Sequence, residues 1–205
     1  MTRLLIMGPP GSGKGTQAVR IADKMAVPAI STGDIFRYNV KELTDLGKEA
    51  KTYIDSGDFV PDDVTNRMVA DRLTHSDVAN GFLLDGYPRT SGQVEALNTF
   101  LEETNESLTA VLVLEVPDEE IVERLLARAE TEGRSDDTEE LIKHRLELYH
   151  EETSDIIESY TDLGIVGRVD GTGAIDDVTE RLLQTIYNIR ARTGTLPVIK
   201  PRTDN

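Results

Sequence analysis

The sequence has no cysteine and no tryptophan, and aromatic residues make up only 5% of its 205 residues. Without cysteine, disulfide bonds and thiolate zinc sites are excluded, and the composition fits a reducing cytoplasm. The N-terminus lacks the apolar segment of a signal peptide, and no apolar run approaches the ~18 residues of a membrane-spanning helix. We therefore expect a soluble protein of the cytoplasm that does not enter a membrane.

Positive charge is also scarce. The chain has 22 Lys and Arg residues against 38 Asp and Glu residues, which gives a formal net charge of −16. An acidic surface repels nucleic acids and anionic membranes, so we expect neither as a partner. If the ligand carries phosphate, the few basic residues must be gathered locally against this repulsive background.

Short apolar runs alternate with helical patterns along the chain. The pattern predicts strands at 4–7, 28–31, 82–85, 110–116 and 165–169, and helices at 17–25, 90–103, 118–129 and 139–160. The strands are apolar on successive residues, which is typical of strands covered on both faces. This order predicts an α/β fold with a central five-stranded parallel sheet flanked by helices.

Three stretches depart from this alternation. Residues 32–75 show helical patterns without a strand, which indicates a small helical insertion. Residues 128–137, "RAETEGRSDD", are predicted to form a short polar hairpin between two helices. The end of the chain contains two prolines and little periodicity, and is predicted to be a tail.

A glycine-rich segment, "GPPGSGKGT" at residues 8–16, follows the first predicted strand directly. Its spacing matches the phosphate-loop pattern G-x-x-x-x-G-K, with Gly15 at the usual hydroxyl position and the hydroxyl one residue later, at Thr16. In such a loop the backbone N–H groups surround an anion and Lys14 reaches the β and γ phosphates. The plainer alternative is a glycine-rich turn before a helix, with Lys14 in solvent. The predicted phosphate-binding residues are Gly11, Ser12, Gly13, Lys14, Gly15 and Thr16.

A second motif, "GFLLDGYPRT" at residues 81–90, places a carboxylate at the end of another predicted strand. A carboxylate beside a phosphate loop holds Mg²⁺ directly or through water, and Asp85 is predicted to fill this role. The alternative is that Asp85 only caps the turn that begins at Gly86.

Three motifs occur in order: "GKGT" at 13–16, "STGDIFR" at 31–37 and "DGYPRT" at 85–90. Together they resemble the nucleoside monophosphate kinases, and within them the adenylate kinases with a short lid, over residues 1 to about 190. The resemblance implies a P-loop NTPase fold and the reaction Mg·ATP + AMP ⇌ 2 ADP. It also implies a core of residues 1–30, 61–126 and 138–190, an NMP-binding domain at 31–60, a short lid at 127–137 without zinc, and a tail at 191–205.

The resemblance further implies two nucleotide sites. Around AMP it places Thr32, Arg37, the Asp58, Phe59 and Val60 backbone, Gly86, Tyr87, Pro88, Arg89, Gln93, Arg134 and Arg145. Around ATP it adds Arg124, Arg128 and the Gly173 loop to the glycine-rich segment. The residues expected to stabilise the transferring phosphoryl group are Lys14, Arg89, Arg128, Arg134 and Arg145.

Some of these residues have structural alternatives. Ser31 or Thr32 could cap the following helix, and Arg37 could lie on a solvated helix face. Gln93 stands three residues after Thr90, which is the spacing of a capping box. Thr32 and Gln93 could each serve both the structural role and nucleotide binding.

The arginines support an anion site independently of the family. The helical neighbours of Arg145 include Leu141, Ile142 and Leu148, so its guanidinium needs an anion or an acidic partner. Arg124 and Arg128 stand four residues apart on one predicted helix face and repel each other. Glu120, four residues before Arg124, is expected to relieve part of this repulsion. The alternative is that both arginines have a purely surface role.

Other functions are less well supported by the motifs. A UMP/CMP kinase has the same fold, but Thr32 favours AMP as the acceptor. A GTP-dependent switch would need an N-K-x-D segment and an ATP-driven assembly protein an L-S-G-G-Q signature, and the sequence has neither. A binding module without catalysis is a further alternative. The expected partners are ATP, AMP and ADP, and the expected state is a monomer.

Overall fold

The structure is a computed structural model that describes residues 1–132 and 138–194. Five strands form one parallel sheet in the order β2-β3-β1-β4-β5. The strands are β1 (Thr2–Met7), β2 (Ala29–Ser31), β3 (Gly81–Asp85), β4 (Ala110–Glu115) and β5 (Val166–Asp170). The predicted five-stranded parallel sheet is confirmed.

The three central strands form the core of the molecule. β1, β3 and β4 are buried almost throughout, since helices cover both faces of the sheet. In the register of β1 and β3, Leu4 pairs with Leu83 and Ile6 pairs with Asp85. Parallel strands end at the same edge of the sheet, so the segment after β1 and the carboxylate of Asp85 lie side by side there.

The edge strands differ from the prediction of strands covered on both faces. β5, at the edge of the sheet, alternates between buried and exposed residues, so only one of its two faces is covered. Its exposed Arg168 forms an ion pair with Glu115 of β4 (3.0 Å). At the other edge, Ala29 of β2 is exposed. The successive apolar residues in these two segments therefore did not indicate burial on both faces.

Nine α-helices surround the sheet in the described part of the chain. They are α1 (Lys14–Met25), α2 (Thr32–Lys41), α3 (Asp45–Ser56), α4 (Asp62–Leu73), α5 (Ser91–Glu103), α6 (Asp118–Glu132), α7 (Glu139–Leu148), α8 (Ser154–Thr161) and α9 (Ile175–Thr193). A short 3₁₀ turn, Ser76–Val78, precedes β3. α1 packs against α9, and α4 packs against α5. None of the described helices combines the length and the apolar character needed to cross a bilayer.

The helical segment predicted at 32–75 consists of α2, α3 and α4. It has its own small hydrophobic cluster, formed by Phe36, Ala50, Val60 and Val64. α2 and α3 approach each other so closely at Gly47 that a Cβ there would lie 2.0 Å from the carbonyl oxygen of Asn39. The insertion therefore has a small core of its own, while Val69 and Leu73 of α4 join the core of the sheet.

Two predictions about the second half of the chain were wrong in detail. The hairpin expected at 128–137 does not begin at 128, because α6 continues to Glu132. The first residues of this stretch include Ala129 and Glu130, which have good helix propensity. Residues 133–137 lie outside the described residues. The helix expected at 139–160 is interrupted by a π-helical turn, Tyr149–Thr153, which connects α7 to α8.

Candidate active site

The glycine-rich segment after β1 forms a tight loop that ends at the start of α1. Gly11 and Gly13 have φ angles of +80° and +92°, which side-chain-bearing residues rarely adopt. At Gly11 a Cβ would also lie 2.7 Å from Cγ of Leu125. Lys14 opens α1 and folds back over the loop, where its Nζ donates a hydrogen bond to the carbonyl oxygen of Pro9 (2.6 Å). The structure therefore places a tight glycine loop between β1 and α1, which is the context that the sequence predicts.

A cavity of about 750 Å³ opens beside this loop, a volume typical of small-molecule sites. It brings together nearly all the site residues predicted from the sequence. The predicted residues that line it are Gly11, Gly13, Lys14, Gly15, Thr16, Thr32, Arg37, Asp58, Phe59, Val60, Asp85, Gly86, Tyr87, Pro88, Arg89, Gln93, Arg124, Arg128 and Arg145.

Three predicted residues are not part of this lining. Ser12 is buried within the loop. Gly173 has a φ angle of +91° and lies next to Arg181, whose Nη2 donates to the carbonyl oxygen of Thr172 (2.7 Å). Arg134 falls outside the described residues. The roles expected for Gly173 and Arg134 remain predictions.

The lining of the cavity carries an excess of positive charge, although the chain as a whole is acidic. Six basic side chains and three carboxylates line it among the described residues, whereas the whole chain has a net charge of −16. The basic residues come from α1, α2, the loop after β3, α6 and α7. Several distant segments therefore place cations around one space, as the sequence predicts for a phosphate ligand.

Burial and repulsion between like charges lower the pKa values of two of these cations, Lys14 and Arg89. Burial, together with the charges of Arg89, Arg145 and Arg128, lowers the pKa of Lys14 to about 8, although the negative charge of Asp85 opposes the shift. Burial and the charge of Arg145 also lower the pKa of Arg89 to about 10. The cavity therefore holds positive charge that an anion would stabilise.

Asp85 lies at the edge of the cavity between the loop and β3. Its side chain is buried, and this burial raises its pKa in opposition to the nearby charge of Lys14. The Oδ2 atom would be 3.7 Å from a Cβ at Gly15, so the carboxylate faces the loop. The position therefore suits an oxygen ligand for a cation more closely than it suits a simple turn cap.

At the start of α2, Ser31 and Thr32 have different roles, a point that the sequence left open. Ser31 is the cap of this helix, since its Oγ accepts a hydrogen bond from the backbone N–H of Asp34 (3.2 Å). Thr32 instead donates to the carbonyl oxygen of Gly86 (2.9 Å), which ties α2 to the loop after β3. Arg37 pairs with Asp34 (2.5 Å) on the same helix, and its side chain also lines the cavity.

Arg89 and Phe59 form the centre of the opposite wall. The Arg89 guanidinium lies 5.3 Å from the centre of the Phe59 ring, and its Nε donates to the carbonyl oxygen of Gly86 (2.8 Å). Next to Phe59, the Asp58 carboxylate contacts Nε2 of His144 (2.7 Å). The insertion and α7 therefore meet at this wall.

Gln93 makes one of the two hydrogen bonds of the capping box that its spacing suggests. Its backbone N–H donates to Oγ1 of Thr90 (3.2 Å), as in a capping box. Its side chain does not return to the N–H of Thr90 but accepts from the N–H of Arg89 (2.8 Å) and donates to Asp62 (2.7 Å). Asp62, which sequence reasoning missed, is thus joined to a predicted AMP-binding residue.

Arg124 of α6 contacts three groups from different parts of the chain, among them Glu120. Arg124 forms an ion pair with Glu120 and donates through Nη2 to the carbonyl oxygen of Gly171 (3.1 Å). Its Nη1 also approaches the carbonyl oxygen of Ser12 (3.4 Å). Arg124 therefore connects the phosphate loop to the loop that precedes α9.

The family model named Adenylate kinase matches residues 6–165 of the chain, which is well over half of its length. The chain belongs to the adenylate kinase family. It is 68% identical over 205 residues to the adenylate kinase of Micrococcus luteus, and the match covers both chains completely. It is 61% identical over 191 residues to the adenylate kinase of Pseudarthrobacter chlorophenolicus, covering 93% of this chain and 100% of the relative. For the adenylate kinase of Kocuria rhizophila the identity is 58% over 186 residues, covering 91% and 99%.

Membership in the adenylate kinase family makes the chain a nucleoside monophosphate kinase that transfers a phosphoryl group between ATP and AMP. The P-loop NTPase fold expected from the motifs is confirmed by the sheet order and by this family assignment.

The π-helical turn adds two residues to the adenylate kinase site that sequence reasoning missed. Tyr149 and Thr153, at the two ends of the turn, both line the cavity. Burial raises the pKa of Tyr149 to about 12, and Oγ1 of Thr153 donates to the carbonyl oxygen of Arg89 (3.3 Å). The apolar periodicity of 139–160 predicts one continuous helix and gives no signal of the interruption.

Proposed function

We propose that the cavity binds ATP and AMP with their phosphates facing each other, and that the γ-phosphoryl group of ATP passes to AMP between them. The observation that carries this proposal is the gathering of basic side chains around Lys14 and Asp85 in an otherwise acidic chain. Two polyanions repel each other strongly, so a site that joins them must supply cations from several directions.

On the ATP side, the phosphate loop and α6 hold the triphosphate. The backbone N–H groups of residues 11–16 and the start of α1 surround the β and γ phosphates, and Lys14 reaches them with its charged Nζ. Arg128 lies on the same side and contacts the phosphates, while Arg124 lies at the adenine. The Gly173 loop recognises this adenine through backbone atoms.

On the AMP side, α2 and the loop after β3 hold the nucleotide. Arg37 and Arg89 bind its phosphate together with Arg145, and Gln93 and Thr32 contact the base. The backbone of Asp58, Phe59 and Val60 and the Gly86–Arg89 segment complete the site. Support comes from the shared cavity wall and from the stacking of Arg89 on Phe59.

We further propose that Mg²⁺ binds beside Asp85, directly or through water. Mg²⁺ prefers oxygen ligands and is held in kinases by one or two carboxylates together with substrate phosphates. Asp85 and the hydroxyl of Thr16 fit this donor set at the edge of the loop. When bound, the ion neutralises charge on the phosphates.

The reaction needs no general base, because the phosphate oxygen of AMP is already an anion. This oxygen attacks the γ-phosphorus in line, its new bond forms as the bond from the γ-phosphorus to the β-γ bridging oxygen breaks, and the bridging oxygen leaves on ADP. Lys14, Arg89, Arg128, Arg134 and Arg145 stabilise the charge that moves from one side to the other. Alignment of the two substrates supplies the remainder of the catalysis.

We also propose that residues 31–60 act as an NMP-binding domain and 127–137 as a lid, on a core of 1–30, 61–126 and 138–190. The separate hydrophobic cluster of the insertion supports the first part. A second separate cluster, in which Leu125 of α6 packs with Ile142 of α7, supports a distinct base for the lid. Closure of both parts would exclude water, which competes with AMP as the acceptor. The cytoplasmic location and the monomeric state remain proposals from the sequence.

The proposal is tested by ADP formation with AMP, UMP, CMP and GMP as acceptors for ATP. We expect AMP to be the best acceptor, and equal or higher activity on UMP would overturn the substrate assignment. Lys14→Gln is expected to lower kcat by about 10²–10³. Lys24→Gln in the exposed last turn of the same helix is the matched control and should retain wild-type activity. Full activity of Lys14→Gln would refute the mechanism.

A further inference from the structure

Asp62, the first residue of α4, uses both oxygens of its carboxylate to hold the start of α5. Its Oδ2 accepts a hydrogen bond from Oγ1 of Thr90 (2.6 Å), and its Oδ1 accepts one from Nε2 of Gln93 (2.7 Å). The two elements are 28 and 31 residues apart in sequence at these contacts. Asp62 does not line the cavity itself, so any influence on substrates passes through Gln93.

These contacts fix which way the Gln93 amide points. The N–H of Arg89 donates to Oε1 of Gln93 (2.8 Å), and the carboxylate of Asp62 accepts only from Nε2. A flipped amide would place its NH₂ against the N–H of Arg89 and its oxygen against the carboxylate of Asp62, so both contacts would become repulsive. Gln93 is buried and lines the cavity, and these two contacts leave one N–H and one lone pair of its amide for a ligand.

We propose that Asp62 is a specificity-determining positioning residue, which selects adenine by holding Gln93 in one of its two amide orientations. The inference rests on the proposed placement of AMP beside Gln93. Adenine carries an amino donor at C6 next to the acceptor N1, and the fixed amide offers an acceptor and a donor that match them. Hypoxanthine and guanine carry the reverse pattern, an oxygen at C6 next to an N1–H donor, which only a flipped amide would match.

The surroundings of Asp62 offer variants that separate this role from a structural one. At Gly92 a Cβ would lie 2.7 Å from Oδ2 of Asp62, so an alanine there displaces the carboxylate without touching the charge. Gly92 has an ordinary helical backbone in the first turn of α5, where alanine is well tolerated. Asp63, the next residue of α4, shares the first helical turn and its favourable charge but pairs with Arg67 of its own helix (3.6 Å). It is the matched control.

The experiment measures kcat/KM for AMP and for IMP, which lacks the 2-amino group of GMP and so tests the reversed pattern alone. For Asp62→Ala we expect the AMP:IMP ratio to fall about tenfold, because one charged hydrogen bond that opposes the flip is lost. Gly92→Ala should lower the ratio in the same direction even if Asp62→Ala does not fold. Asp62→Asn retains an acceptor oxygen for Gln93 and should keep the ratio closer to that of the wild type. Asp63→Ala should leave it unchanged.

The outcomes distinguish this inference from the proposed function. A wild-type ratio in both Asp62→Ala and Gly92→Ala would overturn the role of Asp62, provided that Gln93→Ala lowers the ratio. If Gln93→Ala itself leaves the ratio unchanged, the placement of AMP beside Gln93 is wrong and the proposed function fails at that point. Equal losses in Asp62→Ala and Asp63→Ala would assign the effect to the charge at the start of α4 and would also overturn the inference.

Discussion

ATP binding is expected to weaken as the pH rises from 7 to 9, because Lys14 loses its proton within this interval. The pKa of Lys14 is lowered to about 8 in the free protein by burial and by neighbouring arginines. At this pKa, about 90% of the Lys14 side chains are charged at pH 7 and about 10% at pH 9. If ATP binds to the charged form, the Kd for ATP should rise about tenfold over these two pH units.

The measurement is isothermal titration of the free enzyme with Mg·ATP at pH 7, 8 and 9 and constant ionic strength. Lys14→Met removes the titrating group, so its weaker binding should show almost no change over the same range. ATP itself has no proton to lose above pH 8, and Arg89, with a pKa of about 10, stays largely charged. A wild-type Kd that changes less than twofold, or a Lys14→Met variant with the same slope, would refute the reasoning.

The same lowered pKa has an opposite effect on the stability of the free protein. Between pH 8 and the ordinary pKa of 10.5, the unfolded chain binds a proton at Lys14 that the folded chain does not. The contribution of Lys14 to the free energy of unfolding therefore increases with pH in this window. Below it, the charged side chain is destabilising, so Lys14→Met should raise the free energy of unfolding at pH 7 by about 1 kcal/mol. A lower stability of this variant in denaturant titrations would contradict the assignment.

Three further substitutions test other parts of the site. Arg145→Ala should lower kcat by about 10²–10³ at an unchanged Tm, as measured by a coupled ADP assay; an unchanged kcat would remove it from the mechanism. Gly11→Ala places a Cβ 2.7 Å from Cγ of Leu125 at a φ angle of +80°, so we expect a loss of about 1–3 kcal/mol in unfolding free energy and of ATP binding. Gly47→Ala forces α2 and α3 apart at Asn39, so we expect the free energy of unfolding to fall by about 2–4 kcal/mol. The KM for AMP should rise more than that for ATP, and equal changes in both KM values would contradict this.

Much of the fold could be predicted because the signals are local. Central strands such as β1 contain a run of successive apolar residues, at 4–7 in β1, and the glycine loop has a recognisable spacing. The prediction was wrong where tertiary contacts determine the exposure of a strand or the length of a helix. The exposure of β5 depends on its position at the sheet edge, and the extension of α6 to Glu132 depends on residues that suit both a helix and a polar loop.

The site residues also divide into those that local motifs predict and those that depend on tertiary contacts. Lys14, Asp85 and Arg89 stand in motifs whose chemistry is legible in the sequence, and the structure brings them to one cavity. Asp62 was missed because a lone carboxylate at the start of a helix is explained well enough by the helix dipole. Its link to Gln93 depends on two helices meeting in space, and no spacing along the chain reports that.

The π-helical turn at Tyr149–Thr153 lets residues 139–160 face both the cavity and the core of the sheet, which an unbroken helix would not align. Each α-helical residue turns the chain by about 100°, so Arg145 and Thr153 on a regular helix would point in directions about 80° apart. The wider turn cancels most of this drift, and both side chains reach the same cavity while Ile156, Ile157 and Tyr160 still enter the core of the sheet. Deleting one residue from the turn would therefore move either the cavity-lining side chains or the buried side chains of α8 out of position.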